Sequence, residues 1–514
     1  MYQYFKANKF NFVFFILLIF IPLMVSLKYH SLHSSMMDLG LYLFHFYGMS
    51  LGEWEWIFFG HNQPFHLPYF FIYSQLPVNF SPYAILIIQS FFLLLPIYFF
   101  HLHCGRIVAL AYLLYFPLWF NLLFDFHFDH LSVLFLSLFF LLVKLNKFGL
   151  AVFFAIILAF VKEPFALQTA MCGFYLLIIN YKSFPNTKLL IYSIGLIFFG
   201  FGFFYFSLNS IIISSSSIYG YSAFSGSAFS YLGSSLNEIL VNIFTNPSEI
   251  LLDIFSTPRK LLFIFALFGS LAFIPLLNPA PLIVALPIFA ISLLSQSENY
   301  YALGHHYTAG LIAPMIYSFY GGINRAKLIW SNITLFSLKF FIPSITIVLL
   351  VAHILLSPSP ISRLFWSDKI WSYNYKAYMI QERDFMIINA IKEHIPSDPD
   401  KLISVQNNIN WHPLVQRRHF LLFPQGIIKE QNVPVFDRNI KTFEASWNSV
   451  KADYAVVDLK RPWFIEDKGC DWFYDTCTNK IIANNFLAWI EKTRNNMEVI
   501  FEKDGFIIFQ RVDY

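Results

Sequence analysis

Charged side chains are scarce in this sequence of 514 residues. Asp, Glu, Lys and Arg make up 12% of it and hydrophobic residues 57%, whereas soluble globular proteins carry about 25% charged residues. A fully soluble fold is therefore excluded. The chain also lacks a Lys/Arg-rich patch, so no nucleic acid is expected as a partner. This composition predicts a polytopic α-helical membrane protein whose main partner is the lipid bilayer.

Nucleotide-binding and metalloprotease motifs are absent as well. The sequence has no P-loop, no G-x-G-x-x-G and no H-E-x-x-H, so ATP-driven transport is not encoded in this chain. Most apolar runs carry no charge at mid-depth, which argues against a proton-coupled transporter. The four cysteines show no metal-site spacing. Cys470 and Cys477 either pair outside the cytoplasm or remain free thiols.

The sequence is rich in apolar runs, and these predict about eleven membrane helices. They lie near residues 11–28, 81–100, 107–123, 131–143, 148–161, 164–180, 188–208, 260–277, 282–295, 306–320 and 338–356. Several are shorter than the roughly 20 residues that cross a bilayer, so some are expected to be half-spans or re-entrant. With the N-terminus inside, every short inner loop carries Lys or Arg, as the positive-inside rule requires. The loops 29–80 and 209–259 and the C-terminal region then lie outside.

Whether residues 148–180 form one membrane helix or two determines the predicted orientation of all later segments. A single helix of this length, at about 1.5 Å per residue, would measure about 50 Å, which exceeds the roughly 30 Å hydrocarbon core. Pro164 also disfavours a helical conformation at Glu163. We therefore predict two short helices that meet at Lys162 and Glu163, with this tip outside.

The chain is predicted to divide into two domains. Residues 1–358 form the multi-span membrane domain and residues 370–514 an extracytoplasmic α/β domain. In the second domain the pattern predicts helices at 381–396 and 486–496 and strands at 401–406, 452–459 and 497–512, the last being a hairpin that turns at Asp504-Gly505.

The segment FDFHFDH, residues 124–130, places four ionisable groups between two apolar runs. If the segment is helical, Asp125 and Asp129 share one face and His127 and His130 share another. Carboxylates and imidazoles in this arrangement are able to bind a divalent metal or act as a base. The alternative is a solvated loop at the level of the lipid headgroups.

The predicted topology places other polar residues on the same outer side. These are Asp38, His61, His66, Lys162, Glu163, His305, His306 and Tyr307. Lys162 with Glu163 suits a phosphate-binding cation held by an acid, or is an interfacial tip. Asp38 is a catalytic acid or a helix cap, and the two adjacent histidines are ligands or span-end residues. We predict that Glu163, His66, His306 and Tyr307 bind substrate.

Several segments, in order along the chain, resemble a family of predicted bacterial membrane proteins, domain-of-unknown-function family 2079. The segments are DLG at 38–40, FDFHFD at 124–129, VKE at 161–163, PLLNPAPLIVALP at 275–287 and HYTAGLIAP at 306–314. The resemblance covers most of residues 30–325. This family is, more distantly, similar to the glycosyltransferase-C superfamily, whose members transfer sugars from a polyprenyl-phosphate carrier at the outer membrane face.

The resemblance implies roles for particular residues. Asp38 matches the first acidic position and is the candidate general base, and Lys162 matches the carrier-phosphate position. Asp125, His127 and Asp129 match the second acidic cluster and are candidates for acceptor orientation, catalysis or binding of Mg or Mn. The sequence departs from the family pattern at Leu43 and Phe44, where an acid and Gln are common, and at Pro164, where Asp is expected.

Together these features predict a glycosyltransferase-like enzyme of the bacterial cytoplasmic membrane. It would invert the anomeric centre while moving a sugar from a polyprenyl phosphate to a glycan, lipid or protein acceptor of the cell envelope. A carboxylate base serves the acceptor hydroxyl, and Lys or metal stabilises the departing phosphate. The alternatives are a lipid or polysaccharide transporter and a non-catalytic envelope-assembly protein.

Overall fold

The structure is a computed structural model that describes residues 2–58, 61–182, 186–212, 228–331, 338–367, 373–419, 421–428, 451–461 and 480–512. The stretch that contains Cys470 and Cys477 lies outside the described residues, so the predicted disulfide is not addressed by it.

Helices dominate the fold, and every predicted apolar run contains one. In chain order the α-helices are α1 Tyr2–His30, α2 Leu41–Ser50, α3 His66–Gln75, α4 Ser81–Cys104, α5 Arg106–Leu114, α6 Phe116–Leu123, α7 His130–Lys144, α8 Phe148–Ala159, α9 Glu163–Lys182, α10 Thr187–Phe206, α11 Leu236–Thr245, α12 Pro247–Ser256, α13 Pro258–Gly269, α14 Leu286–Leu294, α15 Ala309–Ser331, α16 Leu338–Leu356, α17 Glu382–His394 and α18 Lys480–Asn496. Short 3₁₀ or π turns connect several of them. Apolar segments form helices because only a helix satisfies its own backbone groups in lipid.

The predicted number of about eleven spans is not confirmed. Within the described residues, four helices are long and apolar enough to cross a membrane: Asn11–His30, Ser81–Cys104, Glu163–Tyr181 and Thr187–Ile211. A fifth results if α5 and α6, which are bent by 55° at Tyr115, form one broken span. Pro117 supports this bend because proline has no N–H to donate into the preceding turn. Five further apolar segments are helices of 10–17 residues: His130–Lys144, Phe148–Ala159, Leu236–Thr245, Ala280–Leu294 and Phe340–Leu356.

The prediction of two helices within residues 148–180 is confirmed. Helix α8 ends at Ala159 and α9 begins at Glu163. The two helices pack against each other, and Thr169 Oγ1 donates a hydrogen bond of 2.6 Å from α9 to the Ala155 carbonyl in α8. Lys162 therefore lies in the short connection, where it is buried.

The C-terminal region contains the predicted small sheet. Its strands are β1 Ile403–Val405, β2 Leu421–Leu422, β3 Tyr454–Asp458, β4 Glu498–Lys503 and β5 Phe506–Gln510, in the order β2-β1-β3-β5-β4. Strands β2, β1 and β3 are parallel, and β5 is antiparallel to β3 and β4. The hairpin turns at Asp504 and Gly505, whose φ angles of +52° and +79° suit a tight hairpin turn. Two-residue β2 was not predicted, because so short a strand carries no periodicity.

Residues 406–412, which follow β1, pack directly against the chain that leaves α1. The Met36 N–H donates to the Asn407 carbonyl at 2.6 Å, and Asn410 Nδ2 donates to the Ser35 carbonyl at 2.9 Å. Trp411 stacks on Tyr29 with 6.0 Å between ring centroids. The C-terminal region thus supports the turn Met36–Gly40, which carries Asp38.

Candidate functional site

The polar residues singled out from the sequence lie on connections between helices, and the structure brings several of these connections together. They are the turn Met36–Gly40 before α2, residues 124–129 before α7, residues 160–162 before α9, and the 3₁₀ turn His306–Thr308 before α15. A helix connection suits a polar site because its backbone and side chains are not committed to the apolar face of a helix.

The FDFHFDH segment is a non-helical turn, so the predicted helical pairing of its side chains is wrong. Phe124 has extended backbone angles, and α7 begins only at His130. Gln89 of α4 fixes the turn from both sides: its Oε1 accepts from the His127 N–H at 3.0 Å and its Nε2 donates to the Asp125 carbonyl at 3.3 Å. Asp125 and Asp129 therefore do not share a helix face.

Asp125 is a tightly held carboxylate. It accepts hydrogen bonds from the Ser34 hydroxyl at 2.8 Å and the Ser35 N–H at 2.7 Å, and Lys28 Nζ lies 3.9 Å from its Oδ1. Lys28 also donates to the Leu123 carbonyl at 2.8 Å. These contacts tie the end of α1 to the turn, and they use the oxygens that the sequence assigned to catalysis and metal binding.

Asp129 lies instead between two histidines. His127 Nδ1 forms a close ion-pair contact with Asp129 Oδ2, and His306 Nε2 lies 3.5 Å from the same oxygen. The two imidazole rings stack with 3.7 Å between centroids. Asn121 of α6 holds the second histidine's turn in place by donating to Thr308 Oγ1 at 3.1 Å. One ligand atom from each of the three residues lies within 4.8 Å of the others.

The polar atoms of this cluster are buried without regular hydrogen bonds. Among the described residues, no hydrogen-bond partner is found for His127 Nδ1, Asp129 Oδ2 or either ring nitrogen of His306. Asp129 and His306 are each 5% exposed. Buried polar atoms are nearly always hydrogen-bonded in folded proteins, so this concentration of unsatisfied atoms marks a site rather than a packed core.

The electrostatics of the cluster favour an ionised carboxylate between neutral imidazoles. Burial opposes ionisation of Asp129, but the charge of Lys162 and the close contact with His127 outweigh it and hold the pKa of this carboxyl well below its usual range. Burial lowers the pKa of His127 and, more strongly, that of His306. Neutral imidazole and carboxylate are the forms that bind a metal.

Lys162 is buried beside the cluster, and its charge acts on Asp129, His127 and His306. Its ammonium group makes no hydrogen bond or ion pair with the part of the chain that the structure describes. The neighbouring Glu163 Oε1 contacts His61 Nδ1 at 2.7 Å, and its Oε2 is buried without a hydrogen-bond partner among the described residues. The pair predicted as a phosphate site therefore combines a buried, uncommitted cation with a partly committed acid.

The pKa values of two buried tyrosines indicate that Asp38 lies close enough to Asp129 for both charges to act on the same side chains. The pKa of Tyr42 is raised well above its usual range by burial and then by the charges of Asp129, Asp38 and Glu163, partly offset by a hydrogen bond from Gln63. The pKa of Tyr307 is raised in the same way, with Asp38 and Asp129 among the causes. Asp38 and Asp129 thus act on the same two side chains, so these two acidic positions lie near each other.

The predicted substrate residues divide into two groups. Tyr307 and His306 adjoin the cluster, with 4.2 Å between their ring centroids. His66 lies behind Tyr42, where its nitrogens contact the Gln63 carbonyl at 2.9 Å and His45 Nδ1 at 3.2 Å. Burial lowers the pKa of His66 to about 4. Its contacts are those of a packed, neutral histidine rather than of a group presented to substrate.

Sequence reasoning missed the residues that position the site. Gln89 and Asn121 are single amides within apolar runs. Because an unpaired amide is costly in lipid, each isolated amide predicts a specific hydrogen-bond partner. Asn407 and Asn410 lie far along the chain and carried no such signal. The imidazole of His306, predicted to be a ligand or to bind substrate, lies against Asp129.

A family described as predicted membrane protein (DUF2079) matches residues 28–455 of this sequence. No curated protein matches the chain. The matched region includes Asp38, the FDFHFDH turn, Lys162 and His306, and it extends through β1 and residues 406–412, which pack against the Asp38 turn. Because the match covers most of its length, the chain belongs to this family of membrane proteins.

Proposed function

We propose that this member of family 2079 is a membrane glycosyltransferase of the glycosyltransferase-C type. It moves a sugar from a polyprenyl phosphate to an envelope acceptor at the outer face of the bacterial inner membrane. The observation that carries the proposal is Lys162, a side chain only 7% exposed whose ammonium makes no hydrogen bond or ion pair with the described residues, although its charge acts on Asp129. A buried charge is costly unless it is paired, and a lipid phosphate would provide that pairing.

The proposed reaction assigns one step to each charged group. Asp38 accepts the proton of the acceptor hydroxyl while the acceptor oxygen attacks the anomeric carbon. The bond from this carbon to the phosphate oxygen breaks, and the electron pair leaves with the polyprenyl phosphate, whose charge Lys162 stabilises. Attack opposite the leaving phosphate inverts the anomeric centre. The products are a glycosylated acceptor and free polyprenyl phosphate.

The apolar surroundings suit a lipid-linked donor. Lys162 lies where α8 ends, and α8 and α10 expose large apolar side chains along their lengths, including Phe153 and Phe198. An isoprenoid tail binds such a surface through apolar burial, while its phosphate reaches the connection at headgroup depth. A soluble sugar nucleotide would gain nothing from this apolar surface.

The test uses the purified full-length protein in vesicles with radiolabelled glucose or mannose on a polyprenyl phosphate. Release of labelled sugar from the lipid is measured for wild type, D38N, K162M and the control K147M. Lys147 lies exposed in the loop between α7 and α8, away from the site. We expect release in wild type and K147M, and a loss of at least about tenfold in D38N and K162M.

Two other outcomes would replace the proposal. If no sugar is released but a fluorescent polyprenyl phosphate crosses the vesicle membrane equally in wild type and D38N, the protein is a transporter. If neither process occurs and K162M binds polyprenyl phosphate as tightly as wild type does, the enzyme assignment is wrong and an assembly role takes its place.

A further inference from the structure

We propose that His127, Asp129 and His306 form a binding site for a divalent transition metal of the zinc type. This set differs from the one predicted from sequence, because His306 takes the place of Asp125. The proposal goes beyond glycosyl transfer and does not depend on it, since metal binding is measurable without any sugar.

The spacing of the ligand atoms is close to that of a zinc site. Ligand atoms about 2.1 Å from a tetrahedral zinc lie about 3.4 Å from one another. Asp129 Oδ2 and His306 Nε2 are already 3.5 Å apart, and all three ligand atoms lie within 4.8 Å. Small side-chain rotations that separate His127 from Asp129 and draw the widest pair together would complete the geometry.

The unsatisfied atoms point to a ligand rather than to a packed core. Both ring nitrogens of His306 are buried without hydrogen-bond partners among the described residues, and the contacts of Asp129 Oδ2 there are to the two imidazoles alone. A metal ion between the three residues would satisfy one atom of each. Two imidazoles and one carboxylate favour a transition metal, because Mg²⁺ and Ca²⁺ select oxygen ligands.

The charges around the cluster are mixed. The ammonium of Lys162 acts on Asp129 and opposes a cation there, whereas Glu163 adds a second carboxylate, whose Oε1 contacts His61. The set of ligand atoms, rather than the net charge, therefore carries the proposal.

Three protein ligands leave a fourth coordination position open, as in catalytic rather than structural zinc sites. The groups nearest to the cluster include Lys162, whose charge acts on all three ligands, and Tyr307, which packs on His306. A water or an anionic oxygen at the fourth position would thus lie in surroundings to which Lys162 and Tyr307 belong.

The experiment measures zinc on the full-length protein in detergent after removal of metal with a chelator. Zinc is titrated back and bound metal is quantified by mass spectrometry, and Co²⁺ is used as a spectroscopic probe of tetrahedral ligation. The variants are D129N and H306Q, and the matched control is H305Q, which changes the adjacent histidine of the same connection. Elution from size-exclusion chromatography reports folding of each variant.

We expect one zinc per chain in wild type and H305Q, visible d–d bands with Co²⁺, and affinity at least about 100-fold lower in D129N and H306Q. Absence of zinc binding in wild type would overturn the site, and so would wild-type affinity in a folded D129N or H306Q. Zinc binding without any sugar transfer would leave this site intact and count only against the enzyme assignment.

Discussion

Two carboxylates of one turn, four residues apart, have opposite surroundings. Asp125 accepts from two donors of the Ser34-Ser35 segment and lies near Lys28. Asp129 lies between two histidines, and its Oδ2 has no regular hydrogen bond among the described residues. A buried charge whose hydrogen bonds are complete serves the fold, whereas one whose bonds are incomplete is available for a ligand. We call these two regions the anchor and the cluster.

Removing the anchor is expected to have the largest effect. In D125A, Lys28 remains buried without its carboxylate, and two donors lose their acceptor, so unfolding should become easier by about 3–5 kcal/mol. The measurement is the thermal unfolding midpoint in detergent. The double variant K28M/D125A should recover part of the loss, because it removes both charges. Wild-type stability in D125A would contradict the anchor role.

Metal should distinguish the cluster from the anchor. Zinc at about 100 times its Kd is expected to stabilise the folded wild-type protein by about 2.7 kcal/mol. D129N should show no such stabilisation, while its metal-free midpoint should lie below that of wild type because the ionised carboxylate beside Lys162 is lost. Zinc-dependent stabilisation of D129N would show that the ion binds elsewhere.

Gln89 connects the two regions, since it bonds to the backbone of Asp125 and of His127. Q89L leaves the His127 N–H and the Asp125 carbonyl without their partners, which should cost about 1–3 kcal/mol of stability. The same change should weaken zinc binding, because the turn no longer holds its ligands. If Q89L loses stability but keeps the zinc affinity of wild type, zinc binding at the cluster does not depend on the anchor.

Local features of this molecule could be predicted from the sequence, and long-range pairings could not. The break at Lys162 follows from helix length and Pro164, and the hairpin turn follows from Asp504-Gly505; the structure confirms both. Which side chains form the cluster depends on the backbone conformation of residues 124–129. A helix would have placed Asp125 with Asp129, but residues 125–129 are not helical, so the two side chains do not share a face.

The choice of His306 over Asp125 could not be seen from the sequence for a further reason. It depends on the Asn121–Thr308 hydrogen bond and on the serines that occupy Asp125, contacts between segments that lie far apart in the chain. The predicted count of about eleven spans is not confirmed, because hydropathy alone does not show where an apolar run bends or ends, as α5 and α6 do at Tyr115.

Mild acid should lower the stability of the fold around the anchor, because the part of the C-terminal region that supports the anchor contains a buried histidine. Asn410 donates to Ser34 Oγ at 3.3 Å, and nearby His412 is buried with its Nε2 3.2 Å from the Tyr73 hydroxyl. Burial lowers the pKa of His412 to about 3, against about 6.5 in an unfolded chain. Between these values the unfolded state binds the extra proton, so stability falls as the pH decreases from about 6.5 to about 3.

The contribution of His412 can be measured as a small difference in the slope of the unfolding free energy against pH. Each buried neutral histidine contributes up to about 1.4 kcal/mol per pH unit, and others, such as His66, add to the total. H412Q should therefore lose stability less steeply with acid than wild type does, whereas H419Q, at an exposed position, should follow wild type. His412 contacts Tyr73 and Tyr29 rather than the histidines of the cluster. A smaller slope in H412Q would show that the anchor includes the residues of the C-terminal region around His412. An unchanged slope would limit the support of the anchor to Ser34 and Ser35.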